Sequence, residues 1–454
     1  MRFALISIAA LNAAAQTANW KAGVAAVAIT PQEPVWLAGY ASRTKPHASI
    51  RQPIFAKALA IRDDTAGTTS LIVTLDLVGI RRDLAEPIAE EIARKHGIPR
   101  ERVMFNASHT HSAPVVGDAS SYLYRFGDKP ERMLEPIARY TAFLRARIVE
   151  AAAQAVARLE PVTLGFEQGF AGFAVNRRRV TNRSWPGPVD HDVPVLAVRN
   201  SAGALQAVLF GYACHNTVMG DDSVHGDYAG YAQAALESRH PGAIALFVQG
   251  AGADSNPLPR RKPEHLERYG NTLADAVDEV LAAKMRALPG PLRASIEFPE
   301  LRFQPPKTRA EFEALARSSN EIESLHARRM LATLERDGRI NDTVLYPVQA
   351  WSFGGSMTLL ALAGELVADY SVRFKSTYGH DKLWVAGYSN DVFGYIPSLR
   401  VLREGGYEGG GAFQFSAFPG PLAEDVESRI AAAVERVMQA TKAATRDPRA
   451  SARE

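Results

Sequence analysis

Residues 102–116 read Arg-Val-Met-Phe-Asn-Ala-Ser-His-Thr-His-Ser-Ala-Pro-Val-Val, and the rest of the chain is placed around them. Val103 to Ala107 has the apolar continuity of a short buried strand and runs directly into His109 and His111. Pro114 then removes a backbone donor and stops regular pairing. In an extended segment, side chains two apart point the same way, so both imidazoles are expected to face one pocket at a strand end. Open α/β sheets place their sites there. Neutral imidazole is a common zinc ligand, which makes the pair a candidate metal site. A His pair held by hydrogen bonds on a polar loop is the alternative.

Upstream, Ser70 to Val78 is a nearly continuous apolar strand, and Arg82 to His96 is an amphipathic helix closed by Gly97. Strand, helix and strand in that order predict a parallel βαβ unit. Gly23 to Ile29 and Ile54 to Arg62 read as earlier strands, and Leu134 to Leu159 as a long Ala-rich helix. Further on, Ala207 to Tyr212 is a strand delivering Cys214 and His215. A helix over 227–238 and a strand over 243–248 follow, opening into the Gly-rich loop 249–257. The pattern predicts a helix over 264–287, strands over 348–353, 357–363 and 383–386, and a helix over 422–444. Residues 305–339 are charged and helical, expected as an outer hairpin rather than a lid. The fold class is α/β, a mixed β-sheet core flanked by helices in one large catalytic domain over 20–445, with a frayed tail at 446–454.

Composition sets limits on function. With 46% hydrophobic and 22% charged residues, disorder is not the default. Lys plus Arg is 52 against 49 for Asp plus Glu, and a net +3 over this length predicts no nucleic-acid partner. Arg177-Arg178-Arg179 is the densest basic run and is expected as a solvated turn. Arg2, the apolar run Phe3 to Leu11 and Ala13-Ala14-Ala15 read as a signal peptide over 1–15, giving a secreted or periplasmic protein. No later run reaches the roughly 18 apolar residues of a transmembrane segment. The one cysteine, Cys214, allows no intrachain disulfide and is expected as a buried inert thiol.

Several strands end in polar or titratable groups: His109 and His111, His215, the loop at Asp254, and Glu365. Core strands do not need such endings, so a shared site is expected. Separations above a hundred residues leave their meeting undecided by spacing. Read singly, Glu365 suits the cap of a following helix, Tyr395 a core aromatic, and Arg177 an exposed arginine.

Together these stretches resemble the catalytic domain of the neutral (non-lysosomal) ceramidases. The matching pieces are Asn106-Ala-Ser-His-Thr-His-Ser-Ala-Pro114, Tyr212-Ala-Cys-His-Asn-Thr217, Gly226-Asp-Tyr-Ala-Gly-Tyr231 and the loop 249–257. Ala363-Gly-Glu365 and the run from Ala386 to Pro397 complete the set. The resemblance implies one zinc ion held by His109, His215, Glu365 and Tyr395. It implies that His111 stands beside the metal and contacts the reacting group, and that Arg177 binds substrate. Tyr407 would face the scissile carbonyl. Asp227 and Asp254 are the carboxylates best suited to handling protons or orienting histidines. The implied activity is amide hydrolysis of an N-acyl, ceramide-like substrate by zinc-activated water, with protonated His111, Arg177 or the Tyr407 hydroxyl meeting the oxyanion. The substrate is then a small molecule or a lipid. A zinc hydrolase of a soluble ester or sugar derivative, and a non-catalytic binding protein with the same pocket, are the alternatives.

The chain departs from the family pattern in the Gly-rich loop. The family reads Gly-Asp-x-Ser-Pro; here the run is Gly252-Ala253-Asp254-Ser255-Asn256-Pro257. Matching Asp254 and Pro257 puts Asn256 at the serine position and leaves Ser255 as a substrate-side neighbour. Matching Ser255 itself loses both anchors. The family's C-terminal β-sandwich finds no room before residue 454, which favours a substrate other than membrane-embedded ceramide.

Overall fold

The computed structural model describes residues 20–117, 131–179 and 187–442. The signal peptide and the tail at 446–454 therefore lie outside the described residues. Two β-sheets pack face to face, with helices on both outer faces, so the molecule has four layers.

The larger sheet has nine strands. Its core order runs Ile244–Gln249, Leu205–Tyr212, Asp192–Asn200, Glu160–Phe170, Trp20–Ala28, Phe55–Asp63, Thr68–Leu75, Val103–Ala107. The expected βαβ unit is present: Thr68–Leu75 pairs parallel to Val103–Ala107, with Leu71 opposite Val103, and helix α1 (Arg82–His96) crosses between them. A second parallel pair joins Leu205–Tyr212 to Ile244–Gln249 through α3 (Asp227–Arg239). The other core pairs are antiparallel. Helix α1 and α2 (Glu131–Ala157) cover the outer face of one half through Ile88, Ile92, Leu144 and Ile148. Helix α3 and α4 (Glu264–Ala282) cover the other half.

The second sheet has four strands in the order Leu292–Glu297, Val348–Phe353, Met357–Leu362, Leu383–Ala386. Its alternation shows why both faces are dry. Met357, Leu359 and Ala361 face the large sheet, whereas Leu360 and Leu362 face α7 (Ala368–Tyr378) and α9 (Val426–Lys442). Trp351, Trp384 and Phe166 fill the space between the sheets, and each such side chain contributes about 1.5–3 kcal/mol of burial. Helices α5 (Arg309–Leu315) and α6 (Glu321–Asp337) form the expected outer hairpin, joined by Phe312, Ala327 and Met330. The short helix α8 (Leu399–Glu404) precedes the loop that closes one side of the site.

One helix boundary needs correction. Residues 283–287 were expected to continue α4, because Ala283, Lys284, Met285, Arg286 and Ala287 all favour helix. The helix stops at Ala282, and Arg286–Ala287 instead pairs antiparallel to Phe166 and Gly165. Leu288 and Leu292 gain burial between the sheets, and that burial outweighs propensity.

Candidate metal centre

His109, His215, Glu365 and Tyr395 come from four separate loops that meet at one end of the two sheets. His109 lies two residues past the end of Val103–Ala107. The expected reason for the His pair facing one pocket is wrong, although the outcome holds. The strand stops at Ala107, and His109 has φ +64°, so simple alternation does not aim the rings. A non-glycine residue in this region is strained and persists only where its surroundings fix it. Here its backbone N–H donates to Leu77 O at 2.9 Å. The imidazole Nδ1 lies 2.6 Å from Val78 O.

His215 follows strand Leu205–Tyr212, and its backbone N–H donates to Ser255 O at 2.9 Å. Its Nδ1 lies 2.8 Å from Gly252 O. A carbonyl can only accept, so in both rings Nδ1 carries the proton and Nε2 presents a lone pair. Those two Nε2 atoms sit 3.2 and 3.3 Å from Glu365 Oε2. That carboxylate oxygen is buried and has no hydrogen-bond partner. The Tyr395 hydroxyl is 3.3 Å from His215 Nε2 and accepts from Arg177 at 3.0 Å.

Electron pairs converging with no hydrogen between them repel, unless a cation takes the middle. Tetrahedral zinc with ligands near 2.0–2.1 Å separates its donors by about 3.3 Å, the spacing seen here. His109, His111 and His215 also offer ligand atoms all within 4.8 Å of one another, a group able to hold a metal ion.

Glu365 is held for this position. It opens the two-residue strand Glu365–Leu366, paired parallel to Tyr395–Ile396, so two of the expected ligands are register partners. It does not cap α7, whose N-terminal flanking residue is Val367. The preceding Gly364 has φ +71°, and a Cβ there would lie 2.5 Å from Ile396 Cγ1. Burial pushes the Glu365 carboxyl up, but His109 and His215 beside it pull it well below its usual range. Burial, and then Arg177, lower the His215 imidazole to about 4. Burial raises the Tyr395 hydroxyl, opposed by Arg177.

His111 lines the cavity, and its Nε2 is 3.0 Å from His109 Nε2. A protonated His111 meeting an oxyanion does not fit these surroundings. Burial and the neighbouring His109 and His215 hold its imidazole neutral, well below the usual value. Its Nδ1 is buried without a partner. Gly39 makes room for the ring: it has φ +96°, and a Cβ there would sit 2.4 Å from His111 Cγ.

The remaining expected residues divide. Arg177 is not a solvated turn residue. Its Nε meets Glu408 Oε1 at 2.6 Å, and its guanidinium stacks 5.6 and 5.7 Å from the Tyr395 and Tyr407 rings. Arg178 and Arg179 are likewise paired, to Glu404 and Glu408. Tyr407 lines the cavity, is 46% exposed as a whole residue, and its hydroxyl is hydrogen-bonded to Tyr395. Ser255 and Asn256 are buried and do not line the cavity. Ser255 Oγ and Asn256 Oδ1 both lack partners. They pair antiparallel with Asn176 and Val175. By alternation Asn256 shares a face with Val175 and the approach to Arg177, and Ser255 takes the face of Asn176.

Neither suggested carboxylate orients a histidine. Asp227 accepts backbone N–H groups of Val218, Met219 and Tyr228, which shapes the turn before α3. Asp254 accepts from Ala368 N and Asn176 Nδ2, and burial raises it to about 6. The orienting groups are the carbonyls of Val78 and Gly252, which no sequence pattern marks. Cys214 is buried, with its thiol pushed well up by burial. The cavity above the cluster measures about 360 Å³ and is walled by Val115, Val116, Val392, Phe393 and Phe415.

Residues 20–257 match the N-terminal region of the neutral/alkaline non-lysosomal ceramidases. The chain belongs to this family. Its fold is similar to that in a crystal structure of neutral ceramidase from Pseudomonas aeruginosa, with a TM-score of 0.70 at 20% identity, over 92% of this chain and 75% of that one. A ceramidase complexed with C2 is similar at a TM-score of 0.69 and 18% identity, over 92% and 76%. No curated protein matches. Among the described residues of this ceramidase-family chain, no helix is long and apolar enough to cross a membrane.

Proposed function

We propose that the protein is an exported zinc-dependent hydrolase that cleaves the amide of an N-acyl, ceramide-like substrate. The observation that carries this reading is the approach of His109 Nε2 and His215 Nε2 to Glu365 Oε2, at 3.2 and 3.3 Å, beneath an apolar cavity. With Tyr395 as fourth ligand, the donor set of two imidazoles, a carboxylate and a phenol oxygen suits zinc. Bound there, zinc supplies a Lewis acid for the carbonyl and lowers the pKa of water to about 7.

The chain's own groups do the rest. Val78 O and Gly252 O fix the tautomers of His109 and His215, which keeps both lone pairs inward. Arg177 donates to the Tyr395 oxygen and favours its ionised form. Neutral His111, at the cavity wall, accepts a proton from the attacking water or orients it. The Tyr407 hydroxyl donates to the oxygen that becomes negative. Asn256 stands at the position of the family's serine and, as an amide, orients rather than attacks. Ser255 is its neighbour in the loop, on the opposite face of the ribbon. Valine and phenylalanine walls exclude water from the acyl group.

Zinc analysis together with release of free acid from N-acyl and O-acyl substrates tests this reading. The wild type should carry about one zinc per chain and prefer amides. His215→Ala should lose most of the metal and the activity together. Full zinc in that variant rejects the ligand set, and an exclusive preference for O-acyl substrates rejects the amide. Export is supported by the apolar N-terminal run, and N-terminal sequencing of the secreted or periplasmic protein should find a start near Gln16. An intact Met1 with retention in the cytoplasm rejects it.

A further inference from the structure

The cavity above the cluster has one wall that amide hydrolysis does not require. Among the described residues that line the cavity, Arg81 and Glu365 are the only Arg, Lys, Asp or Glu, and Glu365 belongs to the metal cluster. Arg81 precedes α1, and its side chain is 25% exposed. Its Nε meets Asp391 Oδ1 at 3.2 Å, while that same oxygen accepts the backbone N–H of Arg82. The guanidinium carbon lies 5.5 Å from the Phe418 ring. Its position is thereby fixed at one edge and one face. The two terminal nitrogens make no hydrogen bond among the described residues.

On its other side Arg81 borders a second recess, with Asp83, Glu86 and Glu90. Glu86 is occupied by Arg100 at 2.8 Å, and Arg81 has no ion pair with Asp83 or Glu90. A guanidinium held by Nε and by a ring presents its outer fork in a fixed plane, the arrangement that binds an oxyanion through two parallel hydrogen bonds. A cavity of about 360 Å³ is at the small end of ligand sites, which run roughly 300–1,000 Å³. His109, Glu365 and Arg81 line this one small cavity, so a short substrate at the metal cluster shares it with the Arg81 guanidinium.

We propose that Arg81 is a specificity-determining residue, and that this site takes small N-acyl compounds carrying an oxyanion. This rests on the hydrolase reading above and narrows its substrate class. Apolar walls hold the chain between the two ends, and the Arg81 fork pairs with a carboxylate or sulfonate.

Matched amides test it. N-hexanoyl-β-alanine and N-hexanoyltaurine place the anion on the amine part, and adipic acid mono-propylamide places it on the acyl part. N-hexanoyl-3-aminopropanol is the neutral counterpart. At least one anionic amide should exceed the neutral one by about 10–100-fold in kcat/KM, the range of a charge-assisted bidentate contact. Arg81→Met should bring that ratio close to one through KM, and Arg81→Lys should keep part of it. The compound that wins identifies the oxyanion and the side that carries it. Equal wild-type rates on anionic and neutral amides overturn the proposal, as does an Arg81→Met variant that slows both by the same factor. If the wild type cleaves none of them, the hydrolase reading fails by itself. Calorimetric titration of the same compounds then decides: tighter binding of an anionic amide, lost in Arg81→Met, supports the anion site. Equal or absent binding overturns it.

Discussion

Asn256 and Ser255 are adjacent, both buried, and differ in the face they present. Ser255 gives its backbone oxygen to His215 N and pairs with Asn176, whose side chain is bound to Asp254. Its hydroxyl therefore sits on the structural side of the two-stranded ribbon. Asn256 pairs with Val175, two residues before the turn that delivers Arg177 to Tyr395. Losing a donor that orients the reacting group costs on the order of 10²–10³ in rate. Asn256→Ala should fall by about that much in kcat, whereas Ser255→Ala stays within roughly tenfold of wild type. Asn256→Ser should keep the metal and cleave N-acyl sphingoid bases at least as well. A dead Ser255→Ala beside an active Asn256→Ala would show that Ser255 holds the serine position.

Elements were more legible than the site they carry. Strand 103–107 and helix 82–96 could be read because apolar continuity and the Gly97 stop are local signals, and the βαβ pairing follows from order alone; the strand expected over 70–78 runs instead over Thr68–Leu75, since the apolar run continues past the last paired residue. The strand Leu292–Glu297 was not legible, since its half-buried residues lack clean alternation. The meeting of four loops was unreadable from spacing. Glu365 became Tyr395's register partner only through a two-residue strand that no pattern marks. Backbone groups are equally silent: nothing in the residue Gly252 says that its carbonyl holds His215. Its other side gives a test. A Cβ on Gly252 would lie 2.5 Å from Cys214 N and 2.6 Å from Ala213 C, both backbone atoms that cannot turn aside. Gly252→Ala should therefore push the loop off the end of strand Leu205–Tyr212 and release the His215 ring. Zinc affinity should drop by about 10–100-fold, the usual cost of losing an orienting partner, although no ligand is changed. Gly420→Ala, where nothing lies within 4 Å, serves as the comparison and should bind zinc as wild type does. Unchanged affinity in Gly252→Ala would mean that the loop gives way and that its carbonyl does not set the ring.

At the scale of the whole molecule, the proposed ligands divide between the two sheets. His109 and His215 follow strands of the large sheet, while Glu365 and Tyr395 follow strands of the small one. Between the sheets near the site, the backbones meet in the bridges Asn106 to Ser389 and Gly250 to Ala386 and in hydrogen bonds such as Asn390 N–H to Phe105 O and Ala253 N–H to Leu366 O. A metal held by all four adds a further tie to this hydrogen-bonded end of the two layers. An ion that binds the folded chain alone stabilises it by about 4 kcal/mol at a thousandfold excess over its Kd. With an unfolding entropy of about 2.1 cal/mol/K per residue, a chain of this length should gain roughly 4 °C in Tm. Adding zinc to chelator-treated protein should produce a rise of that size, read by calorimetry without any substrate. Glu365→Gln removes a small-sheet ligand and His215→Ala a large-sheet one, so each alone should abolish the rise. If zinc binds by elemental analysis yet leaves Tm unchanged, it does not favour the folded chain over the unfolded one, and the four-ligand site is rejected. A rise that persists in Glu365→Gln but not in His215→Ala would place it with the three histidines instead.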